Sequence, residues 1–213
     1  MCAACREPLD HPTRGAVCEG CWAAIVPTAS LGYDTLPPFI SLATSIGPYD
    51  ARLRDVIHAL KYDARPTIAK RLARCLREAG AGVLDGADLV VPVPLHRSRE
   101  RTRGFNQARE LARHLGVPMS DVLVRTRKTE TQADLPAERR HANVRGAFEL
   151  RPGLKTRPAE PAVNGSIVVL VDDVSTTGAT LNACAAVLLD AGASEVRALT
   201  AARAPLRSDP GRR

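Results

Sequence analysis

The chain has 213 residues, of which 45% are hydrophobic, and it carries a formal net charge of +7. This length allows one domain of ordinary size with an appendage. The sequence has no apolar run approaching the ~20 residues of a membrane-spanning helix, and its first residues lack the basic and apolar segments of a secretory signal. We therefore expect a cytoplasmic protein with no membrane span.

Four cysteines near the start of the chain have the spacing of a structural metal site. They form two Cys-x2-Cys pairs, which are Cys2 with Cys5 and Cys18 with Cys21. Each pair can reach one ion from a tight turn, and the two pairs together complete a tetrahedron, so we predict a structural Zn²⁺. Two disulfides are the alternative, but a cytoplasmic location disfavours them. A redox pair would not need two adjacent copies.

Downstream of the cysteines, hydrophobic spacing predicts strands that alternate with helices. The predicted strands cover residues 43–49, 88–93, 117–124, 167–171 and 195–202, and the predicted helices cover 50–61, 66–79, 105–115 and a segment from 181 that ends at Gly192. Alternation of this kind is typical of right-handed βαβ units. We therefore predict an α/β fold with a parallel sheet flanked by helices.

Most of the excess positive charge lies in residues 94–145. This range holds twelve Arg or Lys and six Asp or Glu, which accounts for +6 of the total charge of +7. Such a concentration indicates a polyanionic ligand. Diphosphate and nucleic acid both fit, although aromatic residues make up only 3% of the chain, which argues against a row of base-stacking side chains.

The stretch from Ile167 to Thr180 combines an apolar run, two acids and a turn rich in hydroxyls. The apolar run predicts a strand that is buried on both faces. The turn can direct backbone N–H groups and hydroxyls at one phosphate, aided by the dipole of the helix that follows. The acids repel a phosphate and instead suit hydroxyl groups or a cation beside it. A sugar phosphate satisfies both halves.

This stretch resembles the phosphoribosyl-diphosphate (PRPP) motif of type I phosphoribosyltransferases. The resemblance implies that Asp172 and Asp173 are the catalytic pair that binds the ribose hydroxyls. It implies a 5′-phosphate site at Ser175, Thr176, Thr177, Gly178, Ala179 and Thr180, with Mg²⁺ accompanying PRPP. An ordinary strand–turn–helix, in which the Asp and Thr residues only cap the helix, is the alternative.

A second phosphate site is expected after the strand at 88–93, because ligands of such sheets bind beyond the carboxyl ends of the strands. Guanidinium groups there can bind diphosphate with two hydrogen bonds, and nearby backbone can donate to it. The candidate diphosphate-binding residues are Pro94, Leu95, His96, Arg97 and Arg103, in a segment that we interpret as a loop over 94–107. A plain surface loop is the alternative.

Further motifs extend the resemblance to nearly the whole chain. Val91-Pro92-Val93-Pro94, the run from Arg103 to Ala108 and the run from Asn143 to Phe148 are similar to the signature of the ComF family, which joins an N-terminal zinc finger to a phosphoribosyltransferase-like domain. The resemblance implies a zinc module at 1–27, a connection and hood at 28–62, a phosphoribosyltransferase-like domain at 63–206 and a tail at 207–213. Residues 125–146 then match the lid, which would contain Arg125, Arg127, Lys128, Thr129 and Gln132. A basic arm that binds nucleic acid is the alternative for this segment.

Two functions follow from the resemblance. The first is transfer of 5-phosphoribosyl from PRPP to an unknown acceptor with Mg²⁺, releasing diphosphate. The second is a non-catalytic or ligand-sensing protein that binds single-stranded DNA and serves the machinery of competence and DNA uptake. The motif at 167–180 indicates the donor, and the sequence has no recognisable pocket for the acceptor.

Overall fold

The computed structural model describes residues 1–10, 15–25, 36–62, 66–127, 144–152 and 163–204. The helices are Glu19–Ala23 (α1), Ala51–Tyr62 (α2), Pro66–Ala79 (α3), Ala81–Leu84 (α4), Arg97–Arg103 (α5), Gln107–Ala112 (α6) and Ala179–Asp190 (α7). The strands are Leu42–Pro48 (β1), Leu89–Pro92 (β2), Leu123–Arg125 (β3), Phe148–Leu150 (β4), Ile167–Ser175 (β5) and Glu195–Arg203 (β6).

Four strands form a parallel sheet in the order β1-β6-β5-β2, and β3 pairs with β4 as a separate antiparallel ribbon. Strand β2 is fully buried along its length, and β5 and β6 are buried through most of theirs. A parallel sheet covered on both faces requires such continuous apolar runs. The predicted α/β fold with a parallel sheet is confirmed.

Side chains of β5 alternate between two hydrophobic clusters, one on each face of the sheet. Val169 and Val171 pack with residues of α2, α3 and α6. Val168 and Leu170 pack with residues of α7 and of the β3–β4 ribbon. We refer to these as the α2 face and the α7 face.

The sequence prediction differs from the structure in two segments. Residues 97–103 form helix α5 instead of the expected loop, because His96 accepts a hydrogen bond from the Ser98 N–H at its start and Gly104, with φ of 79°, ends it. The predicted strand at 117–124 is reduced to β3, because the earlier residues contact β2 through a single bridge between Val90 and Met119. The β3–β4 ribbon was not predicted.

The N-terminal segment packs directly against the rest of the molecule. Cys21 and Trp22 belong to the same hydrophobic cluster as Leu53 and Val56 of α2 and Leu72 of α3. The packing is therefore continuous from the cysteines to the α2 face of the sheet.

Polar contacts reinforce this packing at α3. The Arg71 guanidinium lies 4.9 Å from the centre of the Trp22 ring and makes two hydrogen bonds to the carboxylate of Glu19. Among the described helices, none combines the length and the apolar character needed to cross a bilayer.

Candidate functional site

The four cysteines of the two Cys-x2-Cys pairs converge on one point. The Cys2 and Cys21 sulfurs are 3.9 Å apart, the Cys5 and Cys18 sulfurs are 3.8 Å apart, and all four lie within 4.8 Å of one another. A tetrahedral zinc site with Zn–S bonds of about 2.3 Å places its sulfurs about 3.8 Å apart. The geometry therefore fits a four-sulfur zinc site with no open coordination position.

Donors around the cysteine cluster favour thiolates. The Cys18 N–H points to the Cys2 sulfur at 3.3 Å, and the Arg52 guanidinium lies 3.6 Å from the Cys21 sulfur. Burial raises the pKa of Cys2, but backbone hydrogen bonds outweigh it and lower that pKa to about 6. Burial and the neighbouring sulfurs raise the pKa of Cys21 to about 12. A cation is needed for all four to ionise together, as a zinc site requires.

The two acids of the motif lie within a strand and not after it. Strand β5 continues to Ser175, so Asp172 and Asp173 point to opposite faces of the sheet. On the α2 face, the Lys61 ammonium lies 3.1 Å from Asp173 Oδ1, with side chains only 17% and 14% exposed. On the α7 face, Asp172 accepts a hydrogen bond of 2.8 Å from the Asp173 backbone N–H.

The charged groups that act on Asp172 include Arg125 as well as Lys61, the partner of Asp173. Burial, followed by the charge of Asp173, raises the pKa of Asp172 to about 7, although Lys61 and Arg125 oppose this. Burial lowers the pKa of Lys61, but the charge and hydrogen bond of Asp173 outweigh it and leave that pKa above its usual value. Lys61 is therefore a cation at neutral pH, whereas Asp172 exchanges a proton there.

The turn after β5, which we define to begin at the last residue of the strand, Ser175, contains buried hydroxyls that nothing in the described part of the chain satisfies. Ser175 Oγ and Thr176 Oγ1 are both buried and have no hydrogen-bond partner among the described residues. Thr177 Oγ1 accepts from the Ala179 N–H at 3.4 Å, at the start of α7. Unsatisfied buried hydroxyls are costly, so this turn has unused capacity for a ligand oxygen.

Glycine at position 178 makes this turn possible. Gly178 has φ of 75°, and a Cβ there would lie 2.6 Å from Pro37 Cγ. Any larger residue would strain the backbone and collide with the segment before β1. A small cleft beside Gly178 is lined by Asp172, Ser175, Thr176, Ala179 and Thr180, among other residues. The structure thus brings the predicted phosphate residues together next to one acid.

Some of the residues predicted to bind diphosphate line one cavity, and the others make contacts outside it. Pro94, Leu95 and Arg97 line a cavity of ≈120 Å³ together with Arg125. Arg103 is not among the lining residues, and its guanidinium donates to Gln107 Oε1 at 3.0 Å. His96 contacts the first turn of α5, where its ring lies 2.8 Å from Ser98 Oγ.

The residues predicted for the lid also differ in their surroundings. Arg125 is buried in β3, with its guanidinium 5.2 Å from the centre of the Phe148 ring. Arg127 is exposed and donates to the Arg145 carbonyl at 2.8 Å. The other predicted lid residues, Lys128, Thr129 and Gln132, lie outside the described residues.

Two positions in the site were given no role from the sequence. Lys61 contacts Asp173 although the two residues are far apart in the sequence. Asn106 is buried, donates to the Val93 carbonyl at 3.0 Å, and accepts from the Ala108 N–H at 3.0 Å, so it fixes the segment after β2 to the start of α6. Asn106 lies in the run from Arg103 to Ala108 quoted above, and Lys61 lies in a second run of the family signature, Leu60-Lys61-Tyr62. A buried polar residue in such a motif is the signal that identifies both.

Comparison with known proteins agrees with this geometry. The model of the phosphoribosyl transferase domain matches residues 101–211, so the chain carries a phosphoribosyltransferase domain. The DNA utilization protein YhgH of Salmonella typhi is 34% identical, over 92% of this chain and 94% of its own. Competence protein F of Haemophilus influenzae is 30% identical, over 95% of this chain and 96% of its own. The chain belongs to the ComF family.

One solved structure can be compared in the same way. The allosteric regulatory enzyme of purine biosynthesis superposes with a TM-score of 0.42 and is 24% identical, over 68% of this chain and 30% of that chain.

Proposed function

We propose that this protein binds PRPP and transfers its 5-phosphoribosyl group to an acceptor. The observation that carries the proposal is the pair of buried hydroxyls, Ser175 Oγ and Thr176 Oγ1, which have no partner in the described part of the chain and lie beside Asp172. A phosphate at the start of α7 would accept from both hydroxyls and from the N-terminal backbone of that helix.

The remaining groups of PRPP would have complementary partners around this phosphate. The ribose hydroxyls would donate to Asp172 and Asp173, which lie at the carboxyl edge of the sheet next to β2. The diphosphate would lie against the backbone of 94–97 with Arg97 and Arg125, which line one cavity. The charge of Arg125 also acts on Asp172, where it lowers the pKa of that acid. Such an arrangement catalyses by positioning and by charge neutralisation.

In the proposed reaction, a nucleophilic atom of the acceptor forms a bond to ribose C1 while the bond from C1 to the diphosphate oxygen breaks. The electron pair of the broken bond leaves with the diphosphate. Mg²⁺ is usually bound through substrate phosphates, so it would enter with PRPP, beside the ribose hydroxyls that Asp172 and Asp173 would bind. When bound with PRPP, Mg²⁺ would neutralise charge on the diphosphate.

The zinc module and the domain division are part of the proposal. Zn²⁺ bound by the four cysteines would stabilise the fold without taking part in the chemistry, since a closed four-sulfur site offers no position for substrate. We propose that residues 1–27 form this module, that 28–62 form a hood over the acceptor, and that 63–206 hold PRPP.

Replacement of both acids tests the core of the proposal. The double variant Asp172→Asn with Asp173→Asn should lose PRPP binding in a calorimetric titration while keeping a cooperative melting transition. Asp190→Asn, at the exposed end of α7, is the matched control and should bind as the unmodified protein does. Unchanged PRPP affinity in the double variant would contradict the site assignment.

Turnover is tested by release of diphosphate from PRPP in the presence of candidate acceptors. A screen over purines, pyrimidines and nucleic-acid ends should identify an acceptor that accelerates diphosphate release, and the Asp double variant should abolish that acceleration. PRPP that binds without release in every case would favour a ligand-sensing role.

The second candidate function is binding of single-stranded DNA. It rests on the excess of basic residues in 94–145 and on relatives named for DNA utilization and competence. If phosphates are neutralised by this segment, the logarithm of affinity for single strands should fall linearly with the logarithm of salt concentration. A flat salt dependence would count against it.

A further inference from the structure

We infer that Lys61 is the counter-cation of the acid pair, provided by the chain itself, and that its ion pair orients Asp173 for sugar hydroxyls without a metal ion bound at the acids. This inference rests on the proposed function, because it concerns the same ligand site. It assigns Lys61 the role of a positioning residue.

The position of Lys61 supports this role. It lies in the last turn of α2, and its ammonium lies 3.1 Å from Asp173 Oδ1. Both side chains are largely buried, with 17% and 14% exposure, so solvent screens the pair less than it screens a surface pair. The contact joins the end of helix α2 to the middle of the ligand motif.

The charges around the acids are balanced from both faces of the sheet. Lys61 contacts Asp173 from the α2 face, and Arg125 is close enough to Asp172 to lower its pKa. A cation therefore acts on each acid, one from each face of the sheet. Adjacent carboxylates in a partly buried site repel each other, and this repulsion is what a bound divalent ion ordinarily relieves.

The other charged and titratable groups near Lys61 do not replace it in this role. Tyr49, beside β1, and Asp172 are the further groups whose charges act on Lys61, and neither is a cation. Arg125 approaches from the opposite face and is buried against Phe148. The contact of Lys61 with Asp173 is direct, at 3.1 Å.

Ribose 5-phosphate is a suitable probe because it contains the hydroxyls and the phosphate but no diphosphate to bring Mg²⁺ with it. Titrations are carried out in buffer freed of divalent ions by resin, which avoids soluble chelators that compete for zinc, and are repeated with Mg²⁺ added. For the unmodified protein we expect the same affinity in both buffers. For Lys61→Met we expect about tenfold weaker binding without Mg²⁺ and partial recovery when Mg²⁺ is added.

Two further variants separate charge from packing. Lys61→Arg keeps the cation and should retain most of the affinity in metal-free buffer. Lys70→Met removes an exposed lysine from α3 and should change nothing. Rescue by arginine together with rescue by Mg²⁺ is the result that a merely structural lysine would not produce.

Three results would overturn the inference. In the first, the unmodified protein binds ribose 5-phosphate only when Mg²⁺ is present. This result is measured without any variant, so it remains decisive even if Lys61→Met does not fold. Another is unchanged, metal-independent binding by Lys61→Met. The third is weak binding by both Lys61 variants that Mg²⁺ does not restore. In each case PRPP binding by the unmodified protein would leave the proposed function intact, whereas failure to bind either ligand would count against that function itself.

Discussion

The cysteine cluster and the turn after β5 are both compact arrangements of polar side chains, but they differ in what their groups contact. In the cysteine cluster the sulfurs point at one another, 3.8 Å and 3.9 Å apart, and receive hydrogen bonds from backbone and from Arg52. In the turn, Ser175 Oγ and Thr176 Oγ1 are buried without partners in the described ranges.

Under the proposed function, this difference separates a site that stabilises the fold from a site that binds a ligand. A cluster whose donors and acceptors are all directed inward contributes stability and leaves nothing for a substrate. Buried hydroxyls without partners lower stability until something binds them. The same contrast applies to charge, since the cysteine cluster needs a cation to ionise fully, whereas the acid pair has cations nearby in the chain.

The largest effect is expected at the cysteine cluster. Cys21→Ser removes one of four metal ligands, so the protein should lose its bound zinc and several kcal/mol of stability, because metal-binding free energy is folding free energy in such sites. Zinc content by atomic absorption and thermal melting measure both effects. Cys75→Ser, a partly buried cysteine outside the cluster, is the control and should keep one zinc per chain. Retention of zinc by Cys21→Ser would remove the contrast between the two regions.

A smaller effect, with a defined pH dependence, is expected at Asp172. Its pKa is raised from 3.8 to about 7 in the folded protein. The folded state therefore binds more protons than the unfolded state between these values, and stability contributed by this group falls as pH rises from 4 to 7. Asp172→Asn removes this loss, so its stability advantage should grow to a few kcal/mol by pH 8, at about 1.4 kcal/mol per pKa unit.

The pH dependence is measured as the difference in unfolding free energy between Asp172→Asn and the unmodified protein at each pH. Taking this difference cancels titration of the cysteines, which both proteins share. A difference that is constant from pH 4 to pH 8 would show that burial of Asp172 carries no such stability cost.

The smallest effect is expected in a comparison of two buried serines, each replaced by alanine. Ser175 and Ser45 both have a buried hydroxyl without a partner among the residues described, but only Ser175 lies in the turn. Both Ser→Ala variants should leave stability unchanged or raise it by up to ~1 kcal/mol. Ser175→Ala alone should weaken ribose 5-phosphate binding, by about tenfold. Equal affinity of the two variants would mean that the turn hydroxyl does not meet the ligand.

The sequence predicted those parts of both regions that depend on residues close together in the chain. The cysteine pairs and the hydroxyl turn each depend on residues close together in the chain. Spacing and residue type therefore predicted that the four cysteines converge and that hydroxyls share one turn, whereas phosphate binding by residues 175–180 stays a prediction. The alternating pattern likewise predicted the parallel sheet.

Contacts between distant residues could not be predicted in this way. Strand β5 continues through both acids because hydrogen bonds from β6 hold it in an extended conformation as far as Ser175. The spacing of residues within β5 carries no information about this pairing. Lys61 comes near Asp173 only because α2 packs on that face of the sheet. Residues 97–103 form a helix although their dense positive charge favours a loop, because His96 caps the start of the helix and Gly104 ends it.

The hydrophobic cluster shared by the N-terminal segment and helices α2 and α3 has a consequence for synthesis of the chain. The cysteines leave the ribosome before the residues that cover Trp22 and Cys21, such as Leu53 and Leu72, which follow about 30 to 50 positions later in the chain. Because chains begin to fold from the N-terminus during synthesis, the nascent cysteine segment must remain with its apolar side uncovered until α3 emerges. Metal capture before that moment would protect it from aggregation and from oxidation.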